Sequence, residues 1–195
     1  LISAAVWRLR EADVRTYMSF PTMKEGEIPI DPWMRDGLIV MQPHSVSDLE
    51  NVESLKLPYV SVNGPAGPGG SEILVDDADG TRQAMRYLFD LGHRRIAYVG
   101  IAVNSGLPHV SASVRAKTYA KEMSSAGLKP VVVEANQLDP TQAIAELLSE
   151  KDITASLGYD HNVMAAVIVV AQTLGRKIPG DLSLVTFNDI DYMKL

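Results

Sequence analysis

Hydrophobic and polar positions alternate between two spacings along this chain. Residues 2–12 repeat apolar side chains every three or four positions, which predicts an amphipathic helix. Residues 14–20 alternate singly and read as a strand, while 21–36 carry three prolines and scattered charge and read as irregular. The short apolar run 37–41 predicts a buried strand. A short helix over 46–56 and a strand over 59–62 come next. A glycine- and proline-rich loop spans 63–71, with a short strand at 72–75. Residues 79–91 are expected to be helical, with Asp79 as N-cap and Gly92 in the left-handed position that ends a helix.

Beyond Gly92 the pattern becomes regular. Strands are expected over 95–99, 131–134, 154–158 and 183–187, with an irregular stretch at 101–112. Helices are expected over 113–126, from Asp139-Pro140 through Glu150, and over 161–174, two of them closed by Gly127 and Gly175. Strand–helix alternation of this kind implies α/β architecture, with parallel sheets covered by helices. The change near Gly92 suggests two lobes, 1–91 and 92–195. The chain opens inside a helical pattern, so both lobes are expected to be truncated, one at each end of the chain.

Composition narrows the class. The chain has 195 residues, 46% hydrophobic and 22% charged, and no apolar run of membrane-spanning length. Residues 163–171 are the most apolar stretch, bracketed by Asp160 and Arg176 as a buried helix would be. Without cysteine there are no disulfides, no thiolate metal ligands and no thiol nucleophile. A net charge of −6 argues against nucleic-acid binding by this segment itself. The compact basic pairs Arg94-Arg95 and Arg176-Lys177 lie at element ends, where solvated positions are the simpler explanation.

Catalytic and metal constellations find little support. Loop 63–71 has the glycines of a phosphate loop but no following Lys-Ser/Thr and no helix directly after it. Asp76, Asp77 and Asp79 bring three carboxylates together, without the remaining ligands of a calcium loop. His44, His93, His109 and His161 form no spaced metal pair, and no Gly-x-Ser-x-Gly elbow is present. No enzyme activity and no cofactor are expected.

Open parallel sheets bind ligands in the crevice beyond the carboxyl ends of their strands. The polar residues placed there are Tyr159-Asp160, Asn188-Asp189, and Asn104, Ser105, Ser111, Ser113 and Arg115. Arg115 supplies a planar fork of donors, Asp160 and Asn188 supply acceptors, and Tyr159 supplies an aromatic face. Such a set suits a polyhydroxylated or heterocyclic small molecule. Plainer roles stand beside these. Asp160 can cap the following helix, Asn188 can serve a turn, Tyr159 can be core, and Arg115 can pair with an acid such as Glu122 or Asp90.

Several ordered motifs then carry a resemblance. Val75 to Gly100, above all Leu91-Gly92-His93-Arg94-Arg95-Ile96-Ala97, resembles the effector-binding core of the LacI/GalR family of bacterial transcriptional regulators. Asp36-Gly37-Leu38-Ile39-Val40, Ser113-Val114-Arg115 with Tyr119, Asp152-Ile153-Thr154-Ala155 with Tyr159-Asp160, and Ile178 to Ile190 resemble further segments of it, in order. The resemblance implies two Rossmann-like lobes of the periplasmic-binding-protein type I kind, with an effector, usually a sugar, between them. It implies a cytoplasmic homodimer without membrane contact, in which the effector controls operator DNA through a helix-turn-helix domain lying outside this chain. It implies Arg115, Asn188, Asp160, Tyr159 and Asp79 as effector-site residues, to which the strand-end pattern adds Ser111. Two positions depart from the family pattern: Asn188 replaces an aspartate and Tyr159 replaces an asparagine. An effector other than a standard hexose, flatter or more apolar, is therefore expected. A solute-binding protein of a sugar uptake system on the same fold is the alternative, and an enzyme on a doubly wound sheet is a more distant one.

Overall fold

The computed structural model describes residues 2–17, 36–43, 46–102, 110–135 and 140–188. Helix α1 (Ile2–Glu11) opens the chain, followed by β1 (Leu38–Met41), α2 (Val46–Ser54), β2 (Tyr59–Val62) and β3 (Gly70–Ile73). Helix α3 (Asp77–Asp90) leads into β4 (Ile96–Ile101), α4 (Val110–Ser125), β5 (Val131–Ala135), α5 (Thr141–Ser149), β6 (Ala155–Gly158), α6 (His161–Thr173) and β7 (Ser183–Thr186). The strands form two separate sheets, ordered β1-β2-β3 and β5-β4-β6-β7, and every pairing is parallel. This is the two-lobe α/β arrangement expected from the alternation of periods.

Differences from the expected elements are local. Residues 14–17 belong to no helix or strand, and the rest of the expected strand 14–20 lies outside the described residues. The Val14 amide instead closes the end of α1 by donating to the Leu9 carbonyl at 2.9 Å, and β1 takes β2 as its partner. Strand β3 begins at Gly70, inside the expected loop, because Gly70 packs against the Tyr59 ring; a Cβ there would lie 2.3 Å from it. Helix α4 starts at Val110 rather than 113, so Ser111 and Ala112 become buried helical positions. Pro140 occupies the N-cap of α5 rather than its first turn, and Asp139 lies outside the described residues.

The second sheet has a core on each face, and β4 sits between them with five of its six residues buried. Successive strand side chains point to opposite faces. Ala97 and Val99 therefore join Ile144, Leu148, Met164 and Val167 of α5 and α6. Ile96 and Tyr98 join Met85, Leu88, Tyr119 and Met123 of α3 and α4. Each fully buried Leu or Met of these clusters contributes about 1.5–3 kcal/mol of transfer free energy. Helix α3 thus belongs to the second core, and a division at 91/92 separates it from the sheet that it covers.

The strand order creates a switch point. β4 leads through α4 to β5 on one side, and the chain then returns through α5 to β6 on the other side of β4. The connections leave β4 and β6 in opposite directions, which opens a crevice beyond their carboxyl ends.

Candidate functional site

Helix α4 carries the first part of the site. Its buried positions, Ser111, Ala112, Arg115, Tyr119 and Met123, follow the spacing of a single helix face. Tyr119 fixes the depth of that face. Its hydroxyl donates to the Ile96 carbonyl at 2.7 Å and accepts from the Val131 amide at 2.9 Å, which ties α4 to the starts of β4 and β5. One turn nearer the carboxyl ends of the strands, Arg115 is 8% exposed, a level at which a charged group needs a counter-charge.

That counter-charge is Asp77. The Arg115 Nε donates to Asp77 Oδ1 at 2.7 Å, and Nη2 lies 2.7 Å from the same oxygen. The two side chains are 9% and 6% exposed, so the pair is held away from solvent screening. Nη1 donates to the Tyr159 carbonyl at 2.6 Å. The guanidinium also lies over two rings, 3.9 Å from the Phe187 centroid and 5.0 Å from that of Tyr159. The partners come from the start of α3, from α4, and from the residues just after β6 and β7.

Asp77 owes its position to the start of α3. The helix is capped by Asp76, whose Oδ1 accepts from the Asp79 amide at 2.8 Å. This corrects the expected cap: Asp79 sits in the first turn, and Asp76 supplies the accepting oxygen to it. The three carboxylates of this segment therefore have separate occupations. Asp76 caps, Asp77 meets Arg115, and Asp79 accepts from Arg82 at 3.4 Å and Gln83 at 2.6 Å along its own helix. Gly80, one turn into α3, makes room for Phe187; a Cβ at 80 would lie 3.1 Å from that ring.

The other expected residues distribute around this cluster. Tyr159 is buried, and its amide extends the ladder of β6 by donating to the Val99 carbonyl at 2.8 Å. Its hydroxyl lies 3.4 Å from Ser111 Oγ. Burial pushes the Tyr159 phenol above its ordinary pKa, opposed by the Ser111 hydroxyl and the Arg115 charge. Asp160 is the N-cap of α6, its Oδ1 accepting from the Val163 amide at 3.0 Å, and it is half-buried. Asn188 is exposed and has φ of 66°, a left-handed conformation in which asparagine is enriched. Arg115, Tyr159 and Ser111 are thus in one cluster, Asp160 and Asn188 flank it in sequence, and the side-chain contacts described for Asp79 stay within α3. Asn104, Ser105 and Asp189 lie outside the described residues.

Three members of the cluster escaped the sequence reading. Asp77 was visible only as part of an acidic run, and Glu122 and Asp90 were the expected partners of Arg115. Phe187 stood in the recognised segment as an anonymous aromatic. Tyr98 packs in the core, and its hydroxyl is buried without a hydrogen-bond partner among the described residues. The charges of Arg115, Asp77 and Asp160 all act on that phenol, and burial dominates, raising its pKa.

Comparison with known proteins places this geometry. The model of the periplasmic binding protein-like domain matches residues 85–195. The HTH-type transcriptional regulator GntR of Escherichia coli (strain K12) is 25% identical over 167 residues, covering 82% of this chain and 49% of that protein. CelR of Thermobifida fusca, another HTH-type transcriptional regulator, is 27% identical over 165 residues, covering 79% and 47%. The chain spans about half the length of these curated relatives. Among solved structures, a LacI family transcriptional regulator from Enterococcus faecium with bound ribose superposes with a TM-score of 0.68 at 20% identity, covering 82% of this chain and 62% of that one. A CelR–cellobiose complex gives 0.63 at 24% identity, covering 77% and 48%. These two likenesses establish the fold.

Proposed function

We propose, from the premise that this chain belongs to the periplasmic binding protein-like domain family in its LacI-type form, that it is the effector-binding core of a transcriptional regulator. One observation carries the reading. Arg115, Asp77, Tyr159 and Phe187, from four separate elements, converge at the carboxyl ends of parallel strands beside a topological switch point. Arg115 presents donors there, Ser111 and Asp160 present oxygens, and Tyr159 and Phe187 present rings. That inventory matches a small molecule with hydroxyl groups and at least one apolar face. Asp79 and Asn188 belong to the rim of the same site, and Asn188 in place of an aspartate favours a ligand other than a standard hexose.

The relatives are regulators, and two of the superposed structures carry ribose or cellobiose. In this reading operator DNA is held by a helix-turn-helix domain outside these 195 residues, the regulator works as a cytoplasmic homodimer, and no reaction is catalysed. The effector acts by binding one arrangement of the lobes better than the other, since only differential affinity shifts such an equilibrium. The second lobe begins near Asp76 in this account, because α3 is built into its core.

Mobility-shift titration of the full-length regulator on its own promoter DNA tests the proposal. Ribose, cellobiose and adenosine serve as candidate effectors. The expected result is a change in operator affinity with at least one of them, lost in Arg115→Lys while DNA binding itself persists. Operator binding indifferent to every candidate, or altered equally in wild type and R115K, would overturn it. The alternative of an uptake protein predicts no operator binding at all.

A further inference from the structure

The Asp77–Arg115 pair has a consequence for which ligands the site accepts. A lone buried guanidinium is a strong receptor for carboxylate or phosphate, because its charge is uncompensated and its fork matches two oxygens. Here the charge is already met. Asp77 Oδ1 lies 2.7 Å from both Nε and Nη2, and the pair is more than nine-tenths buried. The Tyr159 carbonyl adds partial negative charge at Nη1, at 2.6 Å. Asp160, next to Tyr159, contributes a second carboxylate whose field reaches the same phenols as that of Asp77. Arg82 of α3 is turned to Asp79. Among the described residues, an anionic ligand arriving at Arg115 therefore meets the carboxylates of Asp77 and Asp160 beside one guanidinium, and the Asp77–Arg115 pair itself is shielded from solvent.

A neutral ligand meets no such opposition. A guanidinium has five N–H donors, and among the described residues the contacts to Asp77 and Tyr159 leave terminal N–H groups for a hydroxyl or carbonyl oxygen. The guanidinium carbon also lies 3.9 Å from the Phe187 ring centroid and 5.0 Å from that of Tyr159. We infer that Asp77 is the specificity-determining residue of the effector site: by neutralising Arg115 internally, it restricts the site to uncharged, hydroxyl-bearing ligands and rejects carboxylate- and phosphate-bearing analogues of the same shape. This rests on the effector-site reading above.

The test uses matched pairs that differ in charge: ribose and ribose 5-phosphate, adenosine and AMP, cellobiose and cellobionate. Calorimetric titration and thermal shift are run on the full chain, as wild type and as Asp77→Asn, which keeps an oxygen for Nε. In wild type, the neutral member of any pair that binds is expected to bind on the order of tenfold or more tighter than its anionic partner. In D77N the ratio is expected to shrink or invert. Anionic members that bind wild type as well as neutral ones overturn this inference alone, as does an unchanged ratio in D77N. Silence from all six compounds with both proteins overturns the effector-site reading with it. A response to anions gained only in D77N supports the inference even where wild type is silent. If D77N lacks the circular dichroism of the wild type, the wild-type ratios decide.

Discussion

Asp77 reaches Arg115 across the contact between α3 and α4, and a single carboxylate oxygen, Oδ1, lies 2.7 Å from both Nε and Nη2. The two residues are 38 positions apart, and the sheet strand β4 lies between them in sequence. Their meeting joins the helix that enters the second sheet to the helix that leaves its central strand. The pair is buried, so its removal has two different outcomes, depending on whether one partner goes or both.

Replacing Arg115 alone leaves Asp77 charged and buried. Arg115→Met is expected to destabilise the fold by about 3–5 kcal/mol in urea denaturation. The double variant Arg115→Met with Asp77→Leu removes both charges and is expected to recover much of that loss. A double variant as unstable as R115M would mean that the pair does not account for the cost.

The caps of α3 and α6 separate Asp76 and Asp160 from Asp79. Asp76→Ala and Asp160→Ala each remove an oxygen that accepts a backbone amide at 2.8 or 3.0 Å and are each expected to cost about 1 kcal/mol. Among the described residues, Asp79→Ala removes exposed contacts to Arg82 and Gln83 and is expected to cost less than about 0.5 kcal/mol. Thermal melts of the three variants give the ranking directly.

Tyr98 offers a pH signature. Its hydroxyl is buried without a partner among the described residues, and burial raises its pKa above the ordinary tyrosine value. A raised folded-state pKa contributes stability that is complete below about pH 10, the unfolded value, and is lost as the pH climbs beyond it toward the folded value. Tyr98→Phe is expected to gain about 1 kcal/mol at neutral pH by removing an unsatisfied hydroxyl, and to lose less stability than wild type above pH 10. Urea midpoints at pH 7, 9 and 11 check both signs.

Asn188 tests the proposed rim of the site. Its left-handed backbone, φ 66°, is one that asparagine and aspartate share, so Asn188→Asp is expected to leave the melting temperature within about 2 °C of wild type. Its effect is expected in the ligand response instead, as enhanced thermal shift with hexoses. Unchanged hexose responses would remove Asn188 from the effector site.

The sequence and the structure agree where local chemistry decides. Asp160 and Gly92 could be placed by inspection because a cap and a left-handed terminus are short-range devices, and both stand where they were expected. The strand periods fixed the parallel architecture, and ordered motifs across 36–190 pointed to the family. Asp77 could not be paired from sequence, since its partner depends on how α3 packs on α4. The start of α4 was missed because Val110-Ser111-Ala112 has no strong helical signal of its own; burial against the sheet decides it. Phe187 was hidden for a related reason: its neighbour Gly80 lies 107 residues away in the chain, and only the folded sheet brings them together.

The cluster also sits at the end of a very short bridge. Strand β3 of the first sheet ends at Ile73, and α3, which already belongs to the second core, begins at Asp77. Three residues span that passage, a reach of about 10 Å at full extension. Its far end is pinned twice, by the Asp76 cap and by the Asp77 bond to Arg115. The Asp77 amide also donates to the Val75 carbonyl at 2.8 Å, so the passage turns just before α3 begins. Arg115 and the passage between the two sheets thus share one residue, Asp77, whose side chain meets the guanidinium and whose backbone closes the crossing.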